Sequence, residues 1–397
     1  MKQRKAYRFR MEPTPSQAKS MVRMAGARRF VYNWALQQRQ DYYGETGKTM
    51  PAALLSSKLT VLKHEPETAW LREADSQLLQ QSLKDVDRAF VNFFERRARY
   101  PHFRSRKRDA LRFRIPQRVK LVGGKVYVPK VGWVRVRQSQ EVPEGIKSAT
   151  FKQDAAGHWH VTLVAEFEIP DTPPLPAGPE SVVGIDLGLK TFATLSDGVQ
   201  VATPSFYRRA ERKLKRAQRS LSRKQKGSSN RTKQKRRVAL VHRKVAAKRN
   251  DFMHKTTTTL ISRYDAYCIE DLSVKGLART KLGKSILDAS FGEFRRQMTY
   301  KALWRRKQLV VVDRWFPSSK LCGDCGATHD TLTLADRYWI CPSCGAEHDR
   351  DLNAAMNLRN EGMKQLALGH RESRNACGVP VSLPMGAGDD EARILPL

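Results

Sequence analysis

Four of the six cysteines stand in two turns of the same spacing, Cys322-Gly-Asp-Cys325 and Cys341-Pro-Ser-Cys344, fifteen residues apart. Nothing else in the chain restricts its folding so tightly. Two CxxC pairs at this distance can bring four thiolates to one point, the closed S4 shell of a structural zinc site with no open coordination position. The expectation is Zn2+ on a ribbon over residues 320–347. His329 and His348 lie close in sequence, but four cysteines saturate the metal, so both are expected to be non-ligands. Thiols used in this way fit a reducing cytosol rather than a disulfide framework. Cys268 reads as a small buried residue and Cys377 as a residue of the tail.

The chain is interrupted once by PDTPPLPAGPE, Pro170 to Glu180, with five prolines and no periodic pattern. Such a segment is a stiff extended connector, and a linker is expected over 170–180. Ahead of it, Lys5 to Arg10 alternates as a strand. Thr14-Pro15 then opens a helix, an N-cap with proline in the first turn, which runs through Phe30 and Trp34 to a Gly44/Gly47 stop. A second helix shows in the 3–4 spacing of Leu79, Leu83, Val86, Phe90 and Phe93. After the basic loop Tyr100–Ala110 the period becomes two. Leu111–Ile115, Lys125–Val128, Gly132–Arg137 and Trp159–Phe167 read as short strands. The order predicts a small wedge-like β-barrel over 1–169, with a helical region inserted at about 14–100.

Beyond the linker, residues 182–203 read as strands around Gly188 and the hairpin turn Asp197-Gly198. A long basic helical region follows, then a strand at Asp265–Asp271 and another at Gln308–Arg314. The cysteines come next, and a last helix begins near Asp351. This order is compatible with an RNase-H-like α/β sheet in a domain spanning 181–368. Residues 369–397 mix Gly, Pro and charge, and are expected to form a flexible tail.

Acids are scarce in this half, which makes those in apolar strands informative. Asp186 lies within VVGIDLG and Glu270 ends AYCIE, where a buried carboxylate is costly unless paired or metal-bound. Asp351 opens the last helix, where a first-turn acid or cap is the plain alternative. On an RNase-H-like sheet the three would converge, and carboxylates without an intervening lysine suit Mg2+ or Mn2+. Asp271 and Asp349 are the competing assignments. Asp271 should point to the opposite face of its strand, and Asp349 should diverge from Asp351 on a helix.

Charge supplies the other constraint. The 397 residues hold 74 Lys+Arg against 39 Asp+Glu, a net +35. So large an excess excludes most ordinary metabolic enzymes and implies a polyanionic partner. No apolar run approaches the ~18 residues of a bilayer span, and the amino-terminal residues lack the apolar centre of a signal peptide. Residues 208–250 alone contain nineteen basic residues and one acid, Glu211. Ala210, Leu214, Ala217 and Leu221 form a narrow apolar stripe there, KGSSN breaks the pattern, and Val238, Val241, Val245 and Phe252 resume it. A basic helical hairpin over 208–262 is predicted, docked on one seam and facing a phosphate backbone. Its candidate contacts are Arg208, Arg209, Arg212, Lys213, Lys215, Arg216, Arg219, Lys235, Arg236, Arg237, Arg243 and Lys244. Contacts of this kind position a duplex and carry little sequence information.

The strings VVGIDLGLKTFATLSDG, DFMHKTTTTLI, CIEDLSVKGL, CxxC…CxxC and HDRDLNAAMNL follow one another as they do in the TnpB family of transposon-encoded proteins. ARRFVYNWAL and PHFRSRKR resemble that family's opening region, so the likeness spans nearly the whole chain. The family, also called OrfB-type, resembles the compact type V CRISPR effectors and shares their RuvC-like nuclease domain. The resemblance implies that Asp186, Glu270 and Asp351 are the three RuvC carboxylates and that the cysteines form a zinc ribbon between the last strand and last helix. It implies a guide RNA from the transposon end, and cutting of double-stranded target DNA beside a short flanking motif. Tyr32, Trp34, Arg104 and Lys107 are candidates for reading that motif. Some relatives of this kind have lost the acids and bind without cutting; here all three positions are acidic. A silent guided repressor and a transposase acting directly in strand transfer are the alternatives to a nuclease. A monomer is favoured.

Overall fold

The computed structural model describes residues 2–170, 177–333 and 335–369, and in the last helix the side chains as far as residue 367. Most of the proline-rich linker (171–176) and the expected tail (370–397, with Cys377) lie outside the described residues. By internal contacts the chain divides into two units, one of residues 1–171 with 217–243, the other of 172–216 with 244–397. Among the described residues no helix is long and apolar enough to cross a membrane.

The first unit opens with β1 (Lys2–Glu12), whose alternation turns Tyr7, Phe9 and Met11 inward. Helix α1 (Pro15–Thr46) starts at Thr14, where the Thr14 and Gln17 side chains each take the other's backbone N–H, and stops at Gly47, φ 67°. This capping box satisfies two of the helix's orphan donors. Helices α2 (Ala52–Leu62) and α3 (Ser76–Phe94) follow, with a 3-10 segment at Pro66–Glu73 between them. The sequence pattern had shown neither α2 nor that segment. Strands β2 (Arg112–Ile115), β3 (Lys120–Val122), β4 (Lys125–Val128), β5 (Gly132–Arg137), β6 (Ile146–Gln153) and β7 (Trp159–Glu168) complete the unit. They join β1 in a seven-stranded antiparallel sheet of order β2-β6-β7-β1-β5-β4-β3. One core binds sheet to helices: Phe113, Phe151, Val161 and Leu163 pack with Val31, Leu36, Leu59, Leu79 and Val86.

The predicted barrel does not form. Closure would require β2 to pair with β3, and the order leaves both as edges. The chain between them carries Pro116, which has no N–H to offer a ladder, and Arg118 at φ 65°. β3 is moreover only three residues long.

The second unit holds β8 (Val182–Asp186), β9 (Thr191–Leu195), β10 (Gln200–Ala202), β11 (Ala266–Glu270) and β12 (Gln308–Val312). Their order is β10-β9-β8-β11-β12; β8, β9 and β10 are antiparallel, while β11 runs parallel to both β8 and β12. The basic hairpin is α4 (Phe206–Ser222) and α5 (Ser229–Arg263). Its distal part, 217–243, clusters with the first unit. There the Arg236 Nε donates to the Ala156 carbonyl at 2.8 Å. The proximal part is anchored by buried Asp288, whose carboxylate takes the Tyr207 N–H and pairs with Arg249 at 2.9 Å. Short α6 (Val274–Leu277) and α7 (Gly283–Ala289) lead into α8 (Phe291–Trp304), and β13 (Tyr338–Ile340), β14 (Glu347–Asp349) and α9 (Arg350–Gly369) end the described chain.

The two faces of the second sheet are covered differently. Val183, Ile185, Tyr267 and Ile269 join a core with Met253, Leu260, Phe291, Phe294 and Met298 of α5 and α8. On the other face Val182, Ala266 and Cys268 meet Met363 and Leu366 of α9.

Candidate active site and metal centre

Period two decides which face each acid takes. Asp186 shares its parity with Val182 and Gly184, and Glu270 with Ala266 and Cys268, so both belong to the face that α9 covers. The parallel register pairs Ile269 with Ile185. One residue further along each strand, Glu270 and Asp186 stand side by side at the carboxyl ends.

Helix α9 crosses this face antiparallel to β8, and its contacts fix its register. Arg359 Nε donates to the Val182 carbonyl at 3.1 Å. A Cβ on Gly184 would come within 1.9 Å of the Ala355 carbonyl oxygen. Four helical residues advance about 6 Å and two strand residues about 6.6 Å. Stepping from Arg359 over Val182 to Ala355 over Gly184 therefore carries Asp351 to Asp186. The electrostatics agree. Burial and the nearby carboxylates of Asp351 and Glu270 push the Asp186 carboxyl up to about 7. Burial also raises Glu270, with the Asp271 charge adding to it.

The competing acids are engaged elsewhere. Asp271 is held by Arg314 and Arg295, which keep its carboxyl below the usual range. Asp349 caps α9, its Oδ1 accepting the Leu352 N–H at 2.9 Å. The Asp351 carboxylate instead accepts from Arg337 Nη1 at 3.1 Å. Nothing in the sequence marked Arg337, since one arginine in so basic a chain carries no distinguishing signal.

The four cysteine sulfurs lie within 4.8 Å of one another. Cys322–Cys344 and Cys325–Cys341 are separated by 3.7 and 3.6 Å. A tetrahedron with metal–sulfur bonds of ~2.3 Å has edges near ~3.8 Å, so the cluster fits a structural zinc and a zinc ribbon. The two turns are built alike. Cys322 N–H donates to Ala327 O and Cys341 N–H to Ala346 O, both at 2.8 Å. Each turn closes on a left-handed glycine, Gly326 at φ 75° and Gly345 at φ 76°, a conformation other residues adopt at a cost. His348 Nε2 lies 3.0 Å from Cys322 Sγ, the place of a partner to a ligand sulfur, while His329 packs edge-on against Trp339. Two asparagines of α9 tie the ribbon to the helix that carries Asp351. Asn353 Oδ1 accepts the Gly323 N–H at 2.9 Å, and both amides donate to Leu321 O at 2.7 Å.

Of the twelve hairpin candidates, eleven are exposed (Arg208, Arg209, Arg212, Lys213, Lys215, Arg216, Arg219, Lys235, Arg236, Arg237 and Lys244), and Arg243 is half-buried. Arg208 is bonded to Ser285 and Lys215 to Glu211. Tyr32 is buried with the Arg104 guanidinium 4.0 Å over its ring, Trp34 is half-buried in the core, and Lys107 is exposed.

Residues 165–281 match the OrfB_IS605 family, described as "Probable transposase", and 291–358 match the Cas12f1-like TNB domain. Residues 1–48 match a "Helix-turn-helix domain", although the structure there is one strand and the single helix α1. In fold, the chain is similar to one in "Cryo-EM structure of the Cas12f1-sgRNA-target DNA complex", with a TM-score of 0.53 at 14% identity over 87% of this chain and 82% of that one. The class is thus a mixed α/β multidomain protein of the Cas12f and TnpB kind. A Streptomyces pristinaespiralis protein, "Putative RNA-guided DNA endonuclease", is 40% identical over 379 residues, 92% of this chain and 91% of its own. "Putative RNA-guided DNA endonuclease InsQ" of Escherichia coli K12 is 38% identical over 388 residues, 93% and 95% of the two chains. The chain belongs to this family, the TnpB family.

Proposed function

We propose that the protein is an RNA-guided, divalent-metal-dependent DNA endonuclease, hydrolysing phosphodiester bonds at Asp186, Glu270 and Asp351. The observation that carries this is the register of α9 on β8, which draws three acids from distant parts of the sequence to one end of an RNase-H-like sheet. Burial first, and then the charges of Asp351 and Glu270, push the Asp186 carboxyl up to about 7, a setting in which a divalent cation would stabilise the ionised acids. Bound Mg2+ or Mn2+ would supply an activated water and neutralise charge on the leaving oxygen. The protein's own part is to hold the acids close in a largely buried setting, where they favour a cation over a proton once ionised. The Arg337 guanidinium, drawn to Asp351, is of a kind to pair equally with a phosphate oxygen.

Zn2+ at Cys322, Cys325, Cys341 and Cys344 serves structure, holding the ribbon against α9. The exposed bases of the hairpin suit nucleic-acid backbone. Guide RNA pairing would supply the sequence reading, with the protein reading only a short flanking duplex. The nuclease domain is residues 181–368, acting as a monomer in the cytoplasm.

RNA co-purified with the protein should be sequenced and a matching double-stranded target supplied. Cutting that needs divalent cation and stops on RNase treatment is the expected result. Strand transfer that survives RNase would identify a transposase instead. Asp186→Ala should retain the RNA and lose cutting; a variant that still cuts would overturn the assignment of the acids.

A further inference from the structure

Two aromatic side chains stand almost bare in the second unit: Trp315 is 84% and Tyr338 78% exposed. The backbone around each ring is fixed. Trp315 follows β12, whose Val312 pairs with Glu270. Its backbone N–H donates to Asp313 Oδ1 at 2.8 Å, and its neighbour Arg314 donates through Nε to Asp271 at 3.1 Å. On its other side the Leu321 N–H reaches Pro317 O at 3.0 Å, and Asn357 of α9 holds Ser318 O at 2.9 Å. A loop tied at both ends thus presents an indole beside the carboxyl end of the strand that carries Glu270.

Tyr338 is turned outward by the pleat of β13. Trp339 enters the cysteine cluster, so the residues either side of it face away. The residue before Tyr338 is Arg337, which holds Asp351. Tyr338 thus follows the arginine bonded to Asp351, and Trp315 follows the arginine bonded to Asp271, the residue after Glu270.

We propose that Trp315 is a stacking platform for a base of the single DNA strand entering the acid cluster, with Tyr338 as a second, weaker one. Rings interleaved with arginines are the composition of single-strand sites, where π-faces take any base and guanidinium groups take phosphate. A duplex would hide its base faces, so the occupant is unpaired DNA. The assignment rests on the nuclease reading above and adds to it the side chains that seat a base of the strand.

The test uses the full RNA-bound protein and a single-stranded target matched to the co-purified RNA, with or without abasic sites flanking the cut. Base–aromatic stacking at this strength predicts that Trp315→Ala raises KM about tenfold while Trp315→Phe changes it about twofold or less. Abasic sites should raise KM for the wild-type protein by a similar factor and add nothing to the Trp315→Ala defect. Equal KM for wild type and Trp315→Ala, or additive losses, would overturn the proposal. Binding is read independently by titrating a 2-aminopurine-containing strand onto the same complexes. Quenching should appear with wild type and Trp315→Phe and vanish with Trp315→Ala. Quenching by a wild-type protein that never cuts would leave the platform standing and sink the nuclease reading.

Discussion

A methyl group at Gly184 would meet the Ala355 carbonyl oxygen at 1.9 Å, and one at Gly362 would meet Cys268 Sγ at 2.0 Å. These contacts let α9 lie directly on β8 and β11, and the acid cluster depends on that closeness. Gly184→Ala should therefore lower stability by about 3 kcal/mol or more, since backbone cannot yield as a side chain does. Thermal melting and cutting should fall together. Asp186 makes the second prediction at this scale. Its carboxyl titrates near 7 in the fold and near ~4 when unfolded. Between those values the folded state holds the extra proton, so the metal-free protein should lose stability as pH rises from about 4 to 7. Asp186→Asn should flatten that slope in melts recorded with EDTA. By the same titration, divalent-cation affinity and cutting should decline as pH falls below about 7. Asp186 and Glu270 could be singled out because a charge in an apolar strand stands out, and the parallel register brings them to neighbouring strand ends. Arg337, Asn353 and Asn357 could not, because their roles lie in partners that only the folded chain supplies.

At the scale of elements, the ribbon and α9 act as one piece. The Gly323 N–H and the Leu321 carbonyl are both held by α9 asparagines, and the ribbon returns Arg337 to Asp351. With zinc at the four cysteines, as proposed, its removal should therefore disturb a site that contains no cysteine. Cys341→Ser, or dialysis against a chelator followed by Mg2+ alone, is expected to lower the melting temperature and abolish cutting. Restoring Zn2+ should recover both; cutting that persists in protein shown to be zinc-free would refute the coupling. The spacing of the cysteines made the ribbon readable before any fold was known. β6 was missed for a local reason: its register shifts between Ile146 and Ser148, so Ser148 and Ala149 are both buried and the alternation is lost. The barrel failed at the same scale, since period two identifies strands but not whether the first and last of them pair.

For the whole molecule the question is where a net +35 is spent. Residues 208–250 carry nineteen bases and one acid, about half of that excess. On α4 the distribution is one-sided. Arg209, Arg212, Lys213, Arg216 and Arg219 recur at three- and four-residue steps and are exposed, while Leu214 on the far side is buried. A face so arranged binds by displacing counterions, and its energy is legible in salt dependence rather than in any single contact. Replacing Arg209, Arg212, Lys213 and Arg216 together by glutamine should leave the melting temperature nearly unchanged, because exposed substitutions without packing partners cost little. If all four touch duplex phosphates, the slope of log affinity against log salt should become shallower by about 3 to 4, or by about 3 on a single strand. Anisotropy titrations of an unrelated duplex across salt concentrations give that slope directly. A weaker affinity with an unchanged slope would mean that the four side chains act through the fold. An unchanged affinity would remove this face from the nucleic-acid surface and move the search to the other exposed bases of the hairpin.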